Sequence, residues 1–275
     1  MFRAAIALVL AAALALPAAA QERRPSHCIA VADARPGMEH VVAASWQAPL
    51  PAHTVRIRYI NHASFLLRTE GGMNIVTDFT GFIGNTAMIP DLVTMNHAHS
   101  THWTAHPDPA IPHVLPGWGE TFGAGIDHHL DLGEVLVRNV STDIRSAYGG
   151  VEERGNSIFV FEMAGLCIGH LGHLHQEPSD AQYAALGRLD VVMVPVDGGY
   201  TMSREAMIRV VERLRASVVI PMHWFSPYAL EDFLDGVSEV WAVERPGTSS
   251  LEVSLATLPA RRTVMVLDPE WLTDG

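Results

Sequence analysis

The sequence contains no lysine, and all 18 of its basic residues are arginine. That bias reads as codon usage and carries no functional weight. The formal charge is −12, and no part of the chain forms a basic stripe. An acidic chain without one is a poor partner for nucleic acid and has no electrostatic reason to sit on an anionic membrane. Cysteine is scarce, with only Cys28 and Cys167. An oxidising compartment permits a bridge between them, but Cys167 lies in an apolar run and fits an inert buried thiol equally well. Beyond the N-terminal segment there is no apolar run long enough to cross a bilayer. Repeats, low-complexity tracts, a domain linker and a glycine-rich phosphate loop are also missing. Neither Ser64 nor Ser226 stands in a nucleophile elbow, which argues against serine hydrolase chemistry.

What is present begins at the N-terminus. Arg3 precedes the apolar run Ala4–Leu16, and Ala18-Ala19-Ala20 leads into Gln21. A basic start, a short apolar core and a small-residue cleavage site follow the order of a secretory signal. The expected organisation is therefore a signal peptide over 1–20, an irregular lead-in rich in Pro, Ala and Arg over 21–53, and one domain over 54–275. The mature protein is expected to be secreted or periplasmic, with no stable membrane insertion.

Short β-like segments occupy 54–60, 62–69, 73–78 and 91–97, and Glu70-Gly71-Gly72 supplies a hairpin turn. More follow at 134–140, 156–163, 166–171, 190–196 and 217–222. Helical patterns come late: from Ser179-Asp180 through Leu186, from Ser203 with apolar residues at 207, 208, 210, 211 and 214, and over Pro227–Val237. Strands first and strand–helix alternation afterwards predict sheets covered by helices, an α/β or α+β sandwich.

The chain has 15 histidines, and their clustering matters more than their number. His97-Ala98-His99-Ser100-Thr101-His102 follows a buried strand. In extended backbone, side chains two apart point the same way, so His97 and His99 are expected to converge on one ion, with His102 within reach if the chain turns. His170-Leu171-Gly172-His173 follows a second apolar strand, and His223 ends a third. Neutral imidazoles suit zinc and similar divalent metals. His170 sits inside its strand pattern and reads as a core histidine hydrogen-bonded to backbone. Asp78, at a strand end, either orients a ligating imidazole or caps a turn. His106, His128 and His129 fall in polar loops and read as solvated. Gly198-Gly199-Tyr200 is expected to line the mouth of the site.

His97-x-His99-x-x-His102 resembles the His-x-His-x-Asp-His signature of the metallo-β-lactamase superfamily. From about Val55 to Met222 the chain is similar to the branch that includes the ascorbate-phosphate lactonases and other zinc-dependent hydrolases. The likeness is carried by Ile60-Asn61-His62-Ala63-Ser64-Phe65, Ile75-Val76-Thr77-Asp78, His170-Leu171-Gly172-His173, Pro195-Val196-Asp197-Gly198-Gly199 and Ile220-Pro221-Met222-His223. It implies a four-layer αβ/βα sandwich with metals at one edge between the sheets, a small-molecule substrate and hydrolysis of an ester-like bond by metal-activated water.

Three departures bear on the chemistry. The signature aspartate is Thr101, a bridging aspartate position is His173, and a further expected histidine has only Asp143 as counterpart. The exchange suggests two three-ligand sites: His97, His99 and Asp143 around one zinc, and His102, His173 and His223 around another. Thr101 is neutral and cannot accept a proton, which makes Asp143 the expected catalytic replacement. Loss of the bridging carboxylate also admits a mononuclear site, or a binding protein that keeps the fold and at most one metal without turnover.

Overall fold

A computed structural model describes residues 23–30, 45–145 and 150–274. The expected signal peptide, residues 1–20, lies outside these residues. One helical turn, α1 (His27–Ala30), precedes the first strands, β1 (Val55–Asn61), β2 (Ser64–Arg68), β3 (Asn74–Val76), β4 (Gly84–Asn85), β5 (Leu92–Met95) and β6 (His113–Pro116). Next come β7 (His129–Asp131), β8 (Val135–Arg145), β9 (Val151–Met163) and β10 (Leu166–His170). The chain then alternates through α2 (Asp180–Leu186), β11 (Val191–Pro195), α3 (Arg204–Leu214), β12 (Val218–Met222) and α4 (Pro227–Val237). It ends on β13 (Ala242–Glu244), β14 (Ser250–Val253), β15 (Thr263–Met265) and β16 (Leu272–Thr273).

Two sheets carry the fold. A six-stranded sheet runs β14-β1-β2-β3-β5-β6, and an eight-stranded sheet runs β13-β15-β12-β11-β10-β9-β8-β7. Their facing sides share one core, in which Ile57, Tyr59, Phe65 and Ile75 meet Val137, Phe159, Ile168 and Met193. Strands β5, β10, β11 and β12 are buried at every position, so they read as largely apolar runs rather than alternating ones. The outer face of the eight-stranded sheet packs on the helices, with Val160, Val192 and Val194 against Met207, Val210, Val211 and Phe233. Helix α3 starts where Ser203 Oγ accepts from Ala206 N–H, and it buries the side at 207, 210, 211 and 214 that its periodicity marks.

The architecture is the expected sandwich of two facing sheets flanked by helices, with one layer built differently. Among the described residues, the outer face of the six-stranded sheet is covered by loops rather than helices: Trp46, Phe79, Ile83, Ile111 and Trp118 pack on Ile60, Leu66, Val76 and Val93. The described part of the lead-in is anchored to the domain. A Cys28–Cys167 disulfide fixes it to β10 across a sequence separation of 139. Ser26 and His27 bind the buried Glu162 carboxylate, which is neutralised by Arg138 Nε at 2.8 Å.

Candidate metal centre

Parallel strands β10, β11 and β12 pair in register, with His170 opposite Met193 and Pro195 opposite Met222. The segments that follow them therefore leave the sheet at one edge, where α/β folds place ligands. His173, Asp197 and His223 arrive there. The six-stranded sheet brings His62 in the β1–β2 turn, Asp78 after β3, and His99 and His102 after β5. His62, Asp78 and His223 take φ of 52°, 42° and 61°, a left-handed conformation that costs a non-glycine residue roughly 1–3 kcal/mol. The strain is braced where the sheets meet: His223 N–H donates to the His62 carbonyl at 2.8 Å, and the Tyr59 hydroxyl donates to the same oxygen at 2.8 Å.

Five imidazoles converge. Ring centroids of His62 and His223 are 4.1 Å apart, and those of His99 and His102 are 4.7 Å apart. His173 stands 5.0 Å from both His102 and His223. Ligand nitrogens of His62, His99, His102 and His223 all lie within 4.8 Å of one another. Each of these rings has either a hydrogen-bonded nitrogen or a buried unpaired one. His102 Nδ1 meets Asp78 Oδ2 at 2.5 Å, and His223 Nδ1 meets Asp197 Oδ2 at 2.9 Å. His99 Nδ1 pairs with Thr101 Oγ1 at 2.7 Å. His62 Nε2 and His173 Nδ1 are buried and have no hydrogen-bond partner.

Asp197 is held ionised and accepts only, so Nδ1 of His223 carries the proton. His223 Nε2 then presents a lone pair 3.1 Å from His102 Nε2. That approach is bridged either by a proton on the neutral His102 ring or by a cation held between the two nitrogens. The imidazolium form is disfavoured there: burial holds His102 well below the usual imidazole range, reinforced by the neighbouring imidazoles. Burial likewise takes His62 and His173 down to about 3. Two nitrogens on one tetrahedral metal, each about 2.0–2.1 Å from it, stand about 3.3 Å apart. The residues present fit a divalent ion, and the carboxylate–imidazole pairs are the supports such ligands use.

The two carboxylates differ in setting. Asp78 is fully buried, which raises its carboxyl well above the ordinary range against a hydrogen bond from Asn96. At Asp197 burial also opposes ionisation. Hydrogen bonds from His223, the Thr201 hydroxyl and the N–H groups of Thr201 and Gly199 outweigh it and hold the carboxyl well below that range.

Several expectations need correction. His97 does not join the set: its Nδ1–H donates to Glu152 at 2.7 Å, and its ring stacks on Trp118 at 5.0 Å. The convergence of His97 and His99 presupposed extended backbone. After Met95 the chain instead turns tightly, with Ala98 N–H on the Asn96 carbonyl and His102 N–H on the His99 carbonyl, so positions two apart diverge. Asp143 is not in the set either. It sits at a β-bulge in β8, where Oδ1 accepts from Arg154 N–H at 2.9 Å and Oδ2 from Gln176 at 2.8 Å. Bulges leave a residue unpaired in the ladder, and this one uses its carboxylate to satisfy the facing strand. Thr101 is exposed and orients His99. His128 and His129 are half-buried rather than solvated, on the Pro116 and Arg24 carbonyls.

His173 stands beside His102 and His223. It is not among the four histidines whose ligand nitrogens lie within 4.8 Å of one another, so the expected His102–His173–His223 ligand set is not the one assembled. Other expectations match. Asp78 holds an imidazole. His170 is a core histidine, with Nε2 on the Ala63 carbonyl at 2.7 Å and Nδ1 accepting from Gly172 N–H. Sequence reasoning assigned no role to His62, Asp197 or Glu152. The first two lay inside the quoted motifs, directly before or after strands, and strand-end position was the available signal.

The family profile of the β-lactamase superfamily domain matches residues 56–223. The chain belongs to the metallo-β-lactamase superfamily. A UPF0173 metal-dependent hydrolase of Methanosphaerula palustris is 26% identical over 222 residues, 72% of this chain and 95% of the relative. One from Methanocorpusculum labreanum is 27% identical over 183 residues, 62% of this chain and 83% of the relative. A solved structure from Thermotoga maritima, assigned to the Zn-dependent hydrolases of the metallo-β-lactamase superfamily, is 27% identical with a TM-score of 0.55 and covers 78% of this chain and 98% of that one. A metallo hydrolase of Ignicoccus hospitalis shares the fold at 20% identity, with a TM-score of 0.52 and coverage of 79% and 96%.

Proposed function

We propose that this superfamily member is a metal-dependent hydrolase that adds water across an ester-like bond of a small molecule, with one zinc held among His62, His99, His102 and His223 and one coordination position left to water. The observation that carries the reading is the 3.1 Å approach of the His102 and His223 Nε2 atoms, each backed by a carboxylate. The four donors are all nitrogen, which suits zinc and its neighbours in the transition series and not calcium or magnesium. No carboxylate is among them to bridge a second ion, so the site is read as mononuclear.

A divalent metal bound there would polarise the substrate oxygen and lower the pKa of water. Asp197 holds the proton at Nδ1 of His223, and Asp78 and Thr101 engage Nδ1 of His102 and His99, which leaves the opposite nitrogens of all three rings toward one another for ligation. His62 is half-buried and His99 exposed, so substrate approaches from their side. His173, kept neutral by burial, stands beside the cluster with an unpaired Nδ1 and is our candidate to hydrogen-bond a substrate oxygen. Water's hydroxyl goes to the acyl or phosphoryl centre and its hydrogen to the departing oxygen.

Export to an oxidising compartment belongs to the same reading, supported by the N-terminal signal pattern and the Cys28–Cys167 bridge. The test is metal analysis of purified protein, followed by assays with p-nitrophenyl acetate and bis-p-nitrophenyl phosphate. One zinc per chain, with hydrolysis lost on chelation and restored by zinc, is expected. Stoichiometric metal without turnover of any ester would favour a binding protein, and absence of metal would end the reading.

A further inference from the structure

Two aromatic rings stand exposed beside the imidazoles. Phe225 lies 5.1 Å from His223 and 5.4 Å from His62 between ring centroids. Tyr200 packs edge-on against Phe225 at 5.2 Å. Phe225 is 58% exposed and Tyr200 is 66% exposed, an unfavourable setting for two adjoining large rings.

Both rings rest on anchored backbone. Asp197 Oδ1 accepts from the N–H groups of Gly199, Tyr200 and Thr201, so the carboxylate that orients His223 also fixes the loop that carries Tyr200. Arg145 braces that loop through the Gly199 carbonyl at 3.2 Å. On the other side, Trp224 packs against Tyr59 at 5.3 Å, and Ser226 caps α4. Phe225 is thus held between two fixed neighbours. Side chains this exposed on a fixed support, touching the solvent side of the donor set, are a preformed apolar surface that a ligand at the imidazoles would cover.

We propose that Tyr200 and Phe225 form a specificity wall that receives an aromatic or aliphatic group next to the scissile bond. The proposal rests on the hydrolase reading and narrows its substrates to esters or lactones with an apolar substituent of at least one ring's size. Recognition is by burial of hydrocarbon against the two rings, in offset or edge-to-face contact.

The test compares benzohydroxamate with acetohydroxamate, metal-binding probes that differ by a phenyl ring in place of a methyl, on the zinc-loaded protein by calorimetry. Burial of a ring against the wall should make benzohydroxamate about tenfold tighter. Phe225→Ala and Tyr200→Ala should remove most of that margin, with acetohydroxamate changed by less than about twofold and zinc content unchanged. Equal affinities in the parent protein, or a margin that survives both substitutions, would overturn the wall. If neither hydroxamate binds, the metal reading fails, and 2-naphthol binding followed by ligand-observed NMR then judges the wall alone. Loss of that binding in Phe225→Ala sustains the wall, and binding retained in both variants overturns it.

Discussion

The Nε2 atoms of His102 and His223 face each other at 3.1 Å, while the opposite nitrogens of both rings are held by Asp78 and Asp197. This arrangement ties metal affinity to two carboxylates that need not touch the ion. Replacing Asp197 with Asn keeps the size of the side chain and removes its charge and its preference for a protonated Nδ1. Metal affinity is expected to fall about 10–100-fold, measured by competition with a chromophoric chelator. Unaltered affinity in a folded variant would show that the carboxylate does not act through His223.

Asp143 gives the opposite expectation. Its oxygens are occupied by Arg154 N–H and Gln176, and its role is to complete the β8 bulge. Asp143→Ala should retain full metal content and lose about 1–3 kcal/mol of stability through the unsatisfied partners. Metal analysis and urea unfolding of one preparation test both points. Metal loss from a folded Asp143→Ala chain would return the residue to the ligand set.

Much of the fold was legible because strands buried on both faces leave apolar runs, and because Ser179 and Ser203 cap their helices. The edge carrying the site could be read for the same reason: His173 and His223 follow strands whose ends are aligned. The individual ligands were not legible where backbone direction decides. His97 and His99 diverge because residues 96–102 turn, and the sequence period of two holds only in extended chain. His62 was hidden in a hairpin turn, where its left-handed backbone aims the ring inward, and no local pattern marks that conformation in histidine.

Acid should destabilise the metal-free protein through His170. Burial pushes this imidazole down to about 4 against a hydrogen bond to the Ala63 carbonyl, from about 6.5 in an unfolded chain. Above pH about 6.5 both states are neutral and pH has no effect through this group. As pH falls from about 6.5 to about 4, the unfolded chain takes up a proton that the folded chain refuses, and stability drops by about 3 kcal/mol. Urea unfolding at pH 7 and pH 4.5, with His170→Gln alongside, should show a smaller acid loss in the variant. Equal losses would remove His170 as a source of acid sensitivity.

The lead-in depends on its bridge. Cys28 and Cys167 close a loop across a sequence separation of 139, and loss of a disulfide across such a loop costs about 2–5 kcal/mol. The Cys28→Ser, Cys167→Ser chain should melt at a lower temperature than the parent, and reductant should lower the parent's melting point but not the variant's. In exported protein, mass spectrometry should find Gln21 at the N-terminus. Retention of residues 1–20 would oppose the export reading.

The account rests most directly on which histidines hold the ion. His62→Ala and His97→Ala should be purified in parallel and their zinc measured by inductively coupled plasma mass spectrometry after dialysis. His62 Nε2 lies unpaired in the donor set, whereas His97 is spent on Glu152 and Trp118. The predicted result is loss of stoichiometric zinc in His62→Ala and about one zinc per chain in both the parent and His97→Ala, as for a single three- or four-ligand site. Full zinc in His62→Ala together with loss in His97→Ala would contradict the four-imidazole centre.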